Sequence, residues 1–254
     1  MIPLAVRRHP GLAHRGPALF MFLAVVMPIA LLSACRHPSQ EHQFQGAALD
    51  TGYHLTLYAD LDAAARDALR ADIQGELERL EQHYAWLRWL AVLPGWTANP
   101  ADARGLAPLM HARAVDRLAE RLQAQGVEHA MIEVGGQVRT FDHPRRQGWR
   151  LALDHAALPE DASPSRLRLR HAALVTRLGA NDLGRQGEAR LLAVNAVAPT
   201  ATQAWLIAEG LAFGASSGSL DRGLPAEHAV RVVVSTPTGI ESHHTPSLES
   251  WLER

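Results

Sequence analysis

The sequence predicts an α+β fold, with one domain in which helices pack on a mixed, mainly antiparallel sheet. Segments with the two-residue period of strands and segments with the 3.6-residue period of helices are interspersed. They do not follow the regular strand–helix–strand order of a parallel α/β sheet, and no segment of the chain is repeated. A domain of this length buries about 70% of the surface that its unfolded chain exposes, so it needs no disulfide to hold it.

The first elements predicted are a strand and a long helix. Residues 53–58 alternate in polarity and are rich in aromatic and β-branched side chains, which predicts a strand. Asp60 is placed to cap the following helix, and apolar residues then recur at spacings of three and four up to about residue 90. Residues 96–108 contain two prolines and are predicted to form a loop. The apolar stripe of the helix is Leu69, Ile73, Leu77, Leu80, Tyr84 and Leu87.

The segment 113–139 has the pattern helix, stop, strand and turn. Its apolar residues recur at four-residue spacing, which predicts one buried helix face, and Gly126 is placed to end the helix in the left-handed conformation. Residues 130–134 are short and mostly apolar, as a buried strand is. Gly135 and Gly136 then allow a tight turn or the close approach of a ligand, because glycine has no Cβ. The residues of the helix face are Ala114, Leu118 and Leu122.

The C-terminal half is predicted to consist mainly of strands. A helix capped by Thr200 or Thr202 and followed by Gly214 interrupts them. The residues after the turn at 237–239 are polar and are predicted to form a tail. The predicted strands cover residues 149–153, 167–170, 171–178, 190–198 and 228–235.

The N-terminus is predicted to be a lipoprotein signal peptide over residues 1–34. Arginines precede an apolar run over residues 18–34, and small residues precede Cys35, the sole cysteine. The sequence Leu-Ser-Ala-Cys is similar to a bacterial lipobox, in which the cysteine becomes the lipidated first residue. Residues 35–45 would then be a lipid-anchored tether and residues 46–254 the folded domain. An uncleaved signal anchor is the alternative, although the run is short for a membrane span.

These features predict a protein of the cell envelope, lipid-anchored on the periplasmic side, and Arg36 after the cysteine favours the outer membrane. The formal net charge of −1 argues against a nucleic-acid partner. All 25 basic residues are arginine, so catalysis through a lysine Schiff base is excluded.

Three isolated patterns are weak indications of chemistry. A G-x-S-x-G motif surrounds Ser216, but a hydrolase needs a strand before that serine and a helix after it, and here a helix precedes it. His243 and His244 lack the spacing of a zinc site. The acidic residues outside the helical stripes show no spacing that would pair them. They are Asp50, Asp102, Asp116 and Glu133.

Five motifs follow one another in a fixed order. Phe44–Thr51 reads FQGAALDT, Gly105–Asp116 reads GLAPLMHARAVD, and Gly135–Arg139 reads GGQVR. Ala173–Thr176 reads ALVT, and Val194–Gly214 reads VNAVAPTATQAWLIAEGLAFG. In this order they resemble the motifs of the bacterial ApbE family, FAD:protein FMN transferases that are often lipoproteins.

The resemblance implies a domain with the ApbE-like, T-fold-like architecture. It also implies Mg²⁺-dependent transfer of FMN from FAD to a threonine or serine hydroxyl of a partner flavoprotein, such as a subunit of a membrane redox complex. The flavin-binding residues that the resemblance implies are Thr51, Gly135, Gly136, Gln137 and Thr176.

The chain departs from the family at positions that carry chemistry. His111 replaces the family lysine, and a histidine is positively charged only part of the time near neutral pH. Gln137 replaces an aspartate, and Arg177 replaces a serine. Ala204 and Ala208 align with the metal-ligating aspartate and threonine, and alanine offers no oxygen to Mg²⁺. We therefore expect that the magnesium ligands are lost and that transferase activity is absent or very low.

Two alternatives remain open at this point. The chain is either a degenerate transferase or a non-catalytic, flavin-binding or accessory lipoprotein of a redox complex, in which polar groups hold FAD without a metal. A lipid-anchored serine hydrolase is a third hypothesis from a different class, and it rests on Ser216 alone.

Overall fold

The structure is a computed structural model in which the folded unit begins at Gln40. The predicted signal peptide, Cys35 and Ser216 lie outside the described residues. Among the helices that the structure describes, none is both long and apolar enough to cross a membrane. The described residues are 39–91, 100–153, 165–179, 190–214 and 224–253.

Strands and helices alternate irregularly along the described ranges, and a short 3-10 helix, Pro246–Ser250, follows the last strand. The strands are β1 (Gln40–Ala48), β2 (Thr51–Ala59), β3 (His129–Val134), β4 (Gln137–Thr140), β5 (Trp149–Ala152), β6 (Arg166–Leu169), β7 (Ala173–Leu178), β8 (Arg190–Ala198), β9 (Ala229–Thr236) and β10 (Gly239–His244). The helices are α1 (Ala63–Ala91), α2 (Pro100–Ala124) and α3 (Ala201–Gly214).

Eight strands form one sheet in the order β1-β2-β3-β4-β7-β8-β9-β10. Every neighbouring pair in it is antiparallel. The remaining two strands, β5 and β6, form a separate antiparallel hairpin, which interrupts the sheet between β4 and β7 in chain order. The expected α+β class with a mainly antiparallel sheet is therefore confirmed.

Helix α1 buries the apolar stripe that its spacing predicted. Its N-cap is Asp62, whose Oδ1 accepts a hydrogen bond from the backbone N–H of Ala65 at 2.7 Å. The prediction of Asp60 as the cap was wrong, because a second aspartate stands at the position next to the first helical residue. The buried residues of the stripe are Leu69, Ile73, Leu77, Leu80 and Tyr84.

Helix α2 begins at Pro100, so the prediction of a loop over residues 96–108 was wrong from residue 100 onward. Pro108 lies inside the helix, where a proline removes one backbone hydrogen bond and costs about 3 kcal/mol. The helix persists because its apolar residues, including Leu106 and Leu109, pack against the main core. Tertiary burial thus outweighs local propensity here.

Helix α2 ends where its sequence predicted. Gly126 has a φ of +80°. The N–H of Val127 donates to the carbonyl of Leu122 at 3.0 Å, and the N–H of Gly126 donates to that of Gln123 at 2.9 Å. This pair of hydrogen bonds is the Schellman motif, and it requires the left-handed conformation that glycine adopts without strain.

Both edge strands of the large sheet were missed in the sequence. β1 pairs with β2 along its whole length, so residues 40–45 are a strand rather than a tether, and the folded domain begins at Gln40 instead of residue 46. β10 occupies part of the predicted polar tail. An edge strand pairs on one side only and keeps many polar side chains in water, which obscures its alternation.

The large sheet has two covered faces. On the helix face, apolar residues of the sheet and of all three described helices form the main core. On the opposite face, a smaller cluster lies between the sheet, the β5–β6 hairpin and the 3-10 helix. Side chains alternate between the two faces along a strand. The apolar cluster that a residue packs in therefore shows which face its side chain lies on. Val175 belongs to the helix face and Leu174 to the opposite face.

His143 lies in an aromatic cluster beside the hairpin. Its ring centroid is 5.2 Å from that of Tyr58 and 4.7 Å from that of Trp149. Its Nδ1 accepts a hydrogen bond from the backbone N–H of Arg145 at 3.1 Å, which requires that this nitrogen carry no proton. Burial lowers the pKa of His143, and the charge of Arg146 lowers it further. The folded protein therefore holds a neutral imidazole.

Mild acid should destabilise the protein through His143. Its folded-state pKa lies below the ordinary value of 6.5, so the unfolded chain binds more protons, and the stability is lost as the pH falls below that value. We expect His143→Asn, which keeps an acceptor but does not titrate, to flatten the pH dependence of the unfolding free energy between about pH 7 and 5. Urea unfolding at each pH measures this.

The wild-type protein and the variant should behave alike at lower pH. The pKa values of Asp142 and Glu41 lie below their ordinary values of 3.8 and 4.5, so their contribution is lost only under more acidic conditions. Identical slopes for the two proteins above about pH 5 would contradict the role given to His143.

Candidate functional site

Two tight turns lie side by side at one end of the large sheet. The turn between β1 and β2 is Leu49–Asp50, with φ of +55° and +62°, and the turn between β3 and β4 is Gly135–Gly136, with φ of +57° and +80°. Positive φ at both central residues is the requirement of the type I′ hairpin turn. The backbone N–H of Gly135 donates to the carbonyl of Gly52 at 3.1 Å and so joins the two turns.

Leu49 and Asp50 are strained, because residues with a side chain disfavour positive φ. Contacts from α1 and α2 hold them there. The N–H of Leu49 donates to Glu81 Oε1 at 2.9 Å, and its carbonyl accepts from His111 Nε2 at 2.9 Å. The Leu49 side chain is fully buried, and Asp50 pairs with Arg88 at 3.0 Å. These contacts offset a strain of roughly 1–3 kcal/mol per residue.

His111, which replaces the family lysine in the sequence comparison, lies between the two turns. A Cβ built on Gly135 would be 2.4 Å from His111 Nδ1, so the close approach that Gly135 permits is made by this imidazole. Because Nε2 donates to the Leu49 carbonyl, the ring is held in one orientation. His111 therefore positions the two turns and does not project as a free cation in the way a lysine ammonium can.

Gln137 and Thr51 lie at the same end of the sheet as the two turns. Gln137 pairs with Val134 across the β3–β4 hairpin and shares the helix face with it. Its side chain is 4% exposed, and Oε1 has no hydrogen-bond partner. A buried amide oxygen without a donor is costly, so this atom can accept a hydrogen bond from a ligand. Thr51 begins β2 and is half-buried.

Thr176 lies on a different face of the sheet from Gln137. The register of β4 with β7 pairs Val138 with Leu174, and two further residues along each strand bring Thr176 level with Gly136 in the Gly135–Gly136 turn. Its side chain alternates with Val175 and so points to the opposite face. The structure thus gathers four of the five residues implied for flavin binding on one side and separates Thr176 from them, and the binding role of all five stays a prediction.

Asp116 joins three elements through one buried carboxylate. Oδ1 accepts from Arg139 Nη1 at 3.0 Å and from the N–H of Ala201 at 2.8 Å. Oδ2 accepts from the N–H and the hydroxyl of Thr202 at 2.9 and 2.7 Å. Asp116 is therefore the counter-ion of Arg139 and also satisfies the first N–H groups of α3. The carboxylate fixes α2, β4 and α3 relative to one another.

Spacing along the sequence predicts no partner for Asp116, because its partners are distant along the chain. Its partners lie 23 to 86 residues away, whereas spacing rules detect only neighbours on one element. The sequence does contain one indication of this pairing. Asp116 directly follows Ala114 and Val115 on the predicted apolar face, and a charged residue that is buried there needs a partner. Thr200 is the N-cap of α3, since its Oγ1 accepts from the N–H of Gln203 at 3.2 Å.

Arg177 and Glu209 form an ion pair between β7 and α3. Arg177 Nε donates to one oxygen of the Glu209 carboxylate, and Nη2 lies 3.4 Å from the other. Glu209 is the only acidic residue of α3. The Arg177 side chain is 26% exposed and the Glu209 side chain 15% exposed. Arg177 therefore neutralises the carboxylate of Glu209.

Ala204 and Ala208, the positions aligned with the metal ligands of the family, are fully buried in the main core. Alanine supplies no oxygen, and Mg²⁺ prefers carboxylate and water oxygens. Within the described ranges, no group of three or more His, Cys, Asp or Glu side chains is arranged to hold a metal. Ala204 and Ala208 therefore cannot bind Mg²⁺ through their side chains, and the loss of the metal site stays a prediction.

A cleft of about 710 Å³ opens between α1, α2 and the start of α3. Its volume is in the range of small-molecule sites. The buried Glu76 at its base accepts hydrogen bonds from Arg121 at 2.6 Å and Arg117 at 3.2 Å. Burial raises the pKa of Glu76, but these hydrogen bonds outweigh it and leave the pKa below its usual range. The cleft is lined by Glu76, Arg79, Leu80, His83, Leu109, Met110, Arg113, Arg117 and Thr202.

Comparison with known proteins agrees with the fold and with the central segment. The model of the ApbE family matches residues 106–177, which include His111, Asp116 and the Gly135–Gly136 turn. No curated protein matches the chain.

Solved structures with a similar fold cover almost all of the described domain. The flavin transferase ApbE from Vibrio cholerae superposes with a TM-score of 0.63 at 16% identity, over 85% of this chain and 100% of that one. The flavinyl transferase ApbE from Pseudomonas stutzeri gives 0.62 at 14% identity, over 86% and 99%. The ApbE protein from Thermotoga maritima gives 0.58 at 12% identity, over 85% and 100%. At these identities the likeness establishes the fold.

Removing the charge of Asp116 should strongly destabilise the protein. Asp116→Asn leaves Arg139 without its counter-ion and turns an amide group toward the N–H donors of α3. Removing one partner of a buried ion pair lowers the free energy of unfolding by about 3–5 kcal/mol. Urea unfolding monitored by circular dichroism measures this free energy. The matched control is Asp50→Asn, which breaks an exposed pair with Arg88 and should change stability by less than about 1 kcal/mol. Equal effects of the two substitutions would contradict this assignment.

Proposed function

We propose that this chain belongs to the ApbE family, which its fold and the match over residues 106–177 support, and that it is a flavin-handling envelope lipoprotein whose FMN-transferase activity is reduced or lost. The family reaction moves FMN from FAD to a hydroxyl of a partner protein. For this chain we therefore propose FAD as the ligand and a flavoprotein as the partner.

The observation that carries this proposal is that the side chains of α3 contact other parts of the protein and leave no oxygen donor at the aligned positions. The positions aligned with the metal ligands are buried alanines, and the one carboxylate of the helix is neutralised by Arg177. Cleaving the FAD pyrophosphate builds negative charge on phosphate oxygens, and a divalent cation normally stabilises that charge. Without oxygen donors to hold the cation, this stabilisation is lost.

The state of His111 supports the same conclusion. A lysine at this position can direct its ammonium at a phosphate as a point charge. The imidazole of His111 instead donates to the Leu49 carbonyl and packs against Gly135. The groups that bring charge to the phosphates in the family are therefore replaced by groups that bind the protein's own backbone.

The second candidate is a non-catalytic flavin-binding or accessory lipoprotein of a membrane redox complex. The cleft beside α1 and α2 favours it, because its volume suits a nucleotide-sized ligand and its arginines suit phosphate oxygens. The unpartnered Oε1 of Gln137 supplies a further acceptor near the turns. Such a protein would bind FAD without cleaving it.

A transferase assay tests the proposed loss of catalysis. Purified protein is incubated with FAD, Mg²⁺ and an acceptor flavoprotein domain, and the acceptor is weighed by mass spectrometry. An active flavin transferase on the same acceptor is the positive control. We expect no FMN adduct at the rate of the control, because the divalent cation has no ligands. An adduct formed at a comparable rate would refute the proposed loss of catalysis.

The lipid anchor is a separate proposal that rests on the sequence around Cys35. Expressed in a bacterial host with its own N-terminus, the protein should fractionate with membranes, and its first tryptic peptide should begin with a lipid-modified cysteine. Cys35→Ser should lose both the modification and the membrane association. Unchanged fractionation of Cys35→Ser would sink the proposal.

A further inference from the structure

A row of polar side chains crosses the opposite face of the large sheet. Thr176 on β7 pairs in register with Asn195 on β8, which pairs with Arg231 on β9. Residues directly opposite one another on antiparallel strands share a face, with Cβ atoms about 4.5–5.5 Å apart. The three side chains therefore form one contiguous group beside the smaller apolar cluster.

Arg231 is a buried cation without a counter-ion. Its side chain is 8% exposed, Nε donates to Ser242 Oγ at 2.8 Å, and Nη1 is buried without any hydrogen-bond partner. No acidic side chain of the described residues forms an ion pair with it. Burial lowers its pKa, and no neighbouring negative charge opposes that shift. An uncompensated buried charge is strongly unfavourable. A negatively charged ligand beside this guanidinium would therefore be stabilised.

Asn195 and Thr176 complete the group with unused polar atoms. Asn195 is 1% exposed, and its Nδ2 donates to Thr176 Oγ1 at 2.8 Å. Its Oδ1 is buried without a partner and forms no hydrogen bond with the facing Arg231. Because Thr176 Oγ1 accepts from Asn195, its own hydroxyl proton is free to be donated. The row thus offers donors from Arg231 and Thr176 and one acceptor from Asn195.

We propose that Arg231, Asn195 and Thr176 bind a phosphate group on the face of the sheet opposite the helices. The guanidinium supplies the charge, and the Thr176 hydroxyl donates to a second phosphate oxygen. A protonated phosphate oxygen donates to Asn195 Oδ1, which no fully deprotonated oxyanion can do. The ligand enters from the β10 edge, where Ser242 is exposed and directs the guanidinium. The site includes Thr176, which the family resemblance implies for flavin binding, but the proposal rests on the unpartnered buried atoms of Arg231 and Asn195 and not on the proposed flavin function.

Phosphate binding is tested by thermal unfolding at constant ionic strength. A ligand that binds only the folded state raises the melting temperature as its concentration passes its dissociation constant. For the wild-type protein we expect inorganic phosphate to give a saturable rise that chloride does not give. Arg231→Gln should lose this response, and Arg66→Gln, which changes an exposed arginine of α1, should keep it.

A second variant tests the missing counter-ion even if Arg231→Gln does not fold. Asn195→Asp places a carboxylate directly opposite Arg231. We expect it to raise the melting temperature without phosphate and to abolish the phosphate response. If Asn195→Asp lowers the melting temperature, or if it responds to phosphate as the wild-type protein does, the proposal is wrong.

The chemistry of the ligand is resolved by parallel titrations with sulfate, acetate and a phosphate monoester. Phosphate should bind more tightly than sulfate at neutral pH, because only phosphate carries a proton for Asn195. A comparable response to the monoester assigns the site to phosphorylated ligands, and a response to inorganic phosphate alone assigns it to the free ion. No saturable response, or a response to acetate and not to phosphate, overturns the phosphate assignment.

Discussion

The buried carboxylate of Asp116 is the constraint on which the arrangement of this domain depends. It satisfies the first N–H groups of α3 and pairs with Arg139 in β4, while its own backbone belongs to α2. Because α2 is fixed in this way, His111 on the same helix reaches the Leu49 carbonyl and lies against Gly135. The geometry of the two turns therefore depends in part on a carboxylate that forms no hydrogen bond with either of them.

Contacts within the protein also hold the two strained turns in place and fix α3 against β7. The strained Leu49–Asp50 turn and the Gly135–Gly136 turn are both retained, and strain of this kind is stable only where surrounding contacts over-determine it. On α3, Ala204 and Ala208 are buried in the main core, and Arg177 pairs with Glu209, the one carboxylate of the helix. The framework is maintained by packing and by buried ion pairs, and these do not require a ligand.

Apolar periodicity predicted the elements that bury one clear face, namely α1, the second half of α2 and β3. Continuous apolar runs predicted β8 and β9, which are buried on both faces. Periodicity failed for β10, because that strand is exposed on both faces, and for β1, because the buried face of that strand carries the polar His42. It also failed for the start of α2, because Pro108 is tolerated where Leu106 and Leu109 pack against the core. The site was predicted only in part. The Gly135–Gly136 turn is visible in local sequence, whereas the pairing of Asp116 with Thr202 and of Arg177 with Glu209 depends on contacts between distant segments.

The central proposal is that this chain recognises flavin without a divalent cation. The most direct measurement is the dissociation constant of FAD, obtained by isothermal titration calorimetry in excess Mg²⁺ and again in EDTA. The account predicts that FAD binds and that the two constants agree within about twofold, a difference of about 0.4 kcal/mol. An affinity that rises tenfold or more with Mg²⁺ would contradict it.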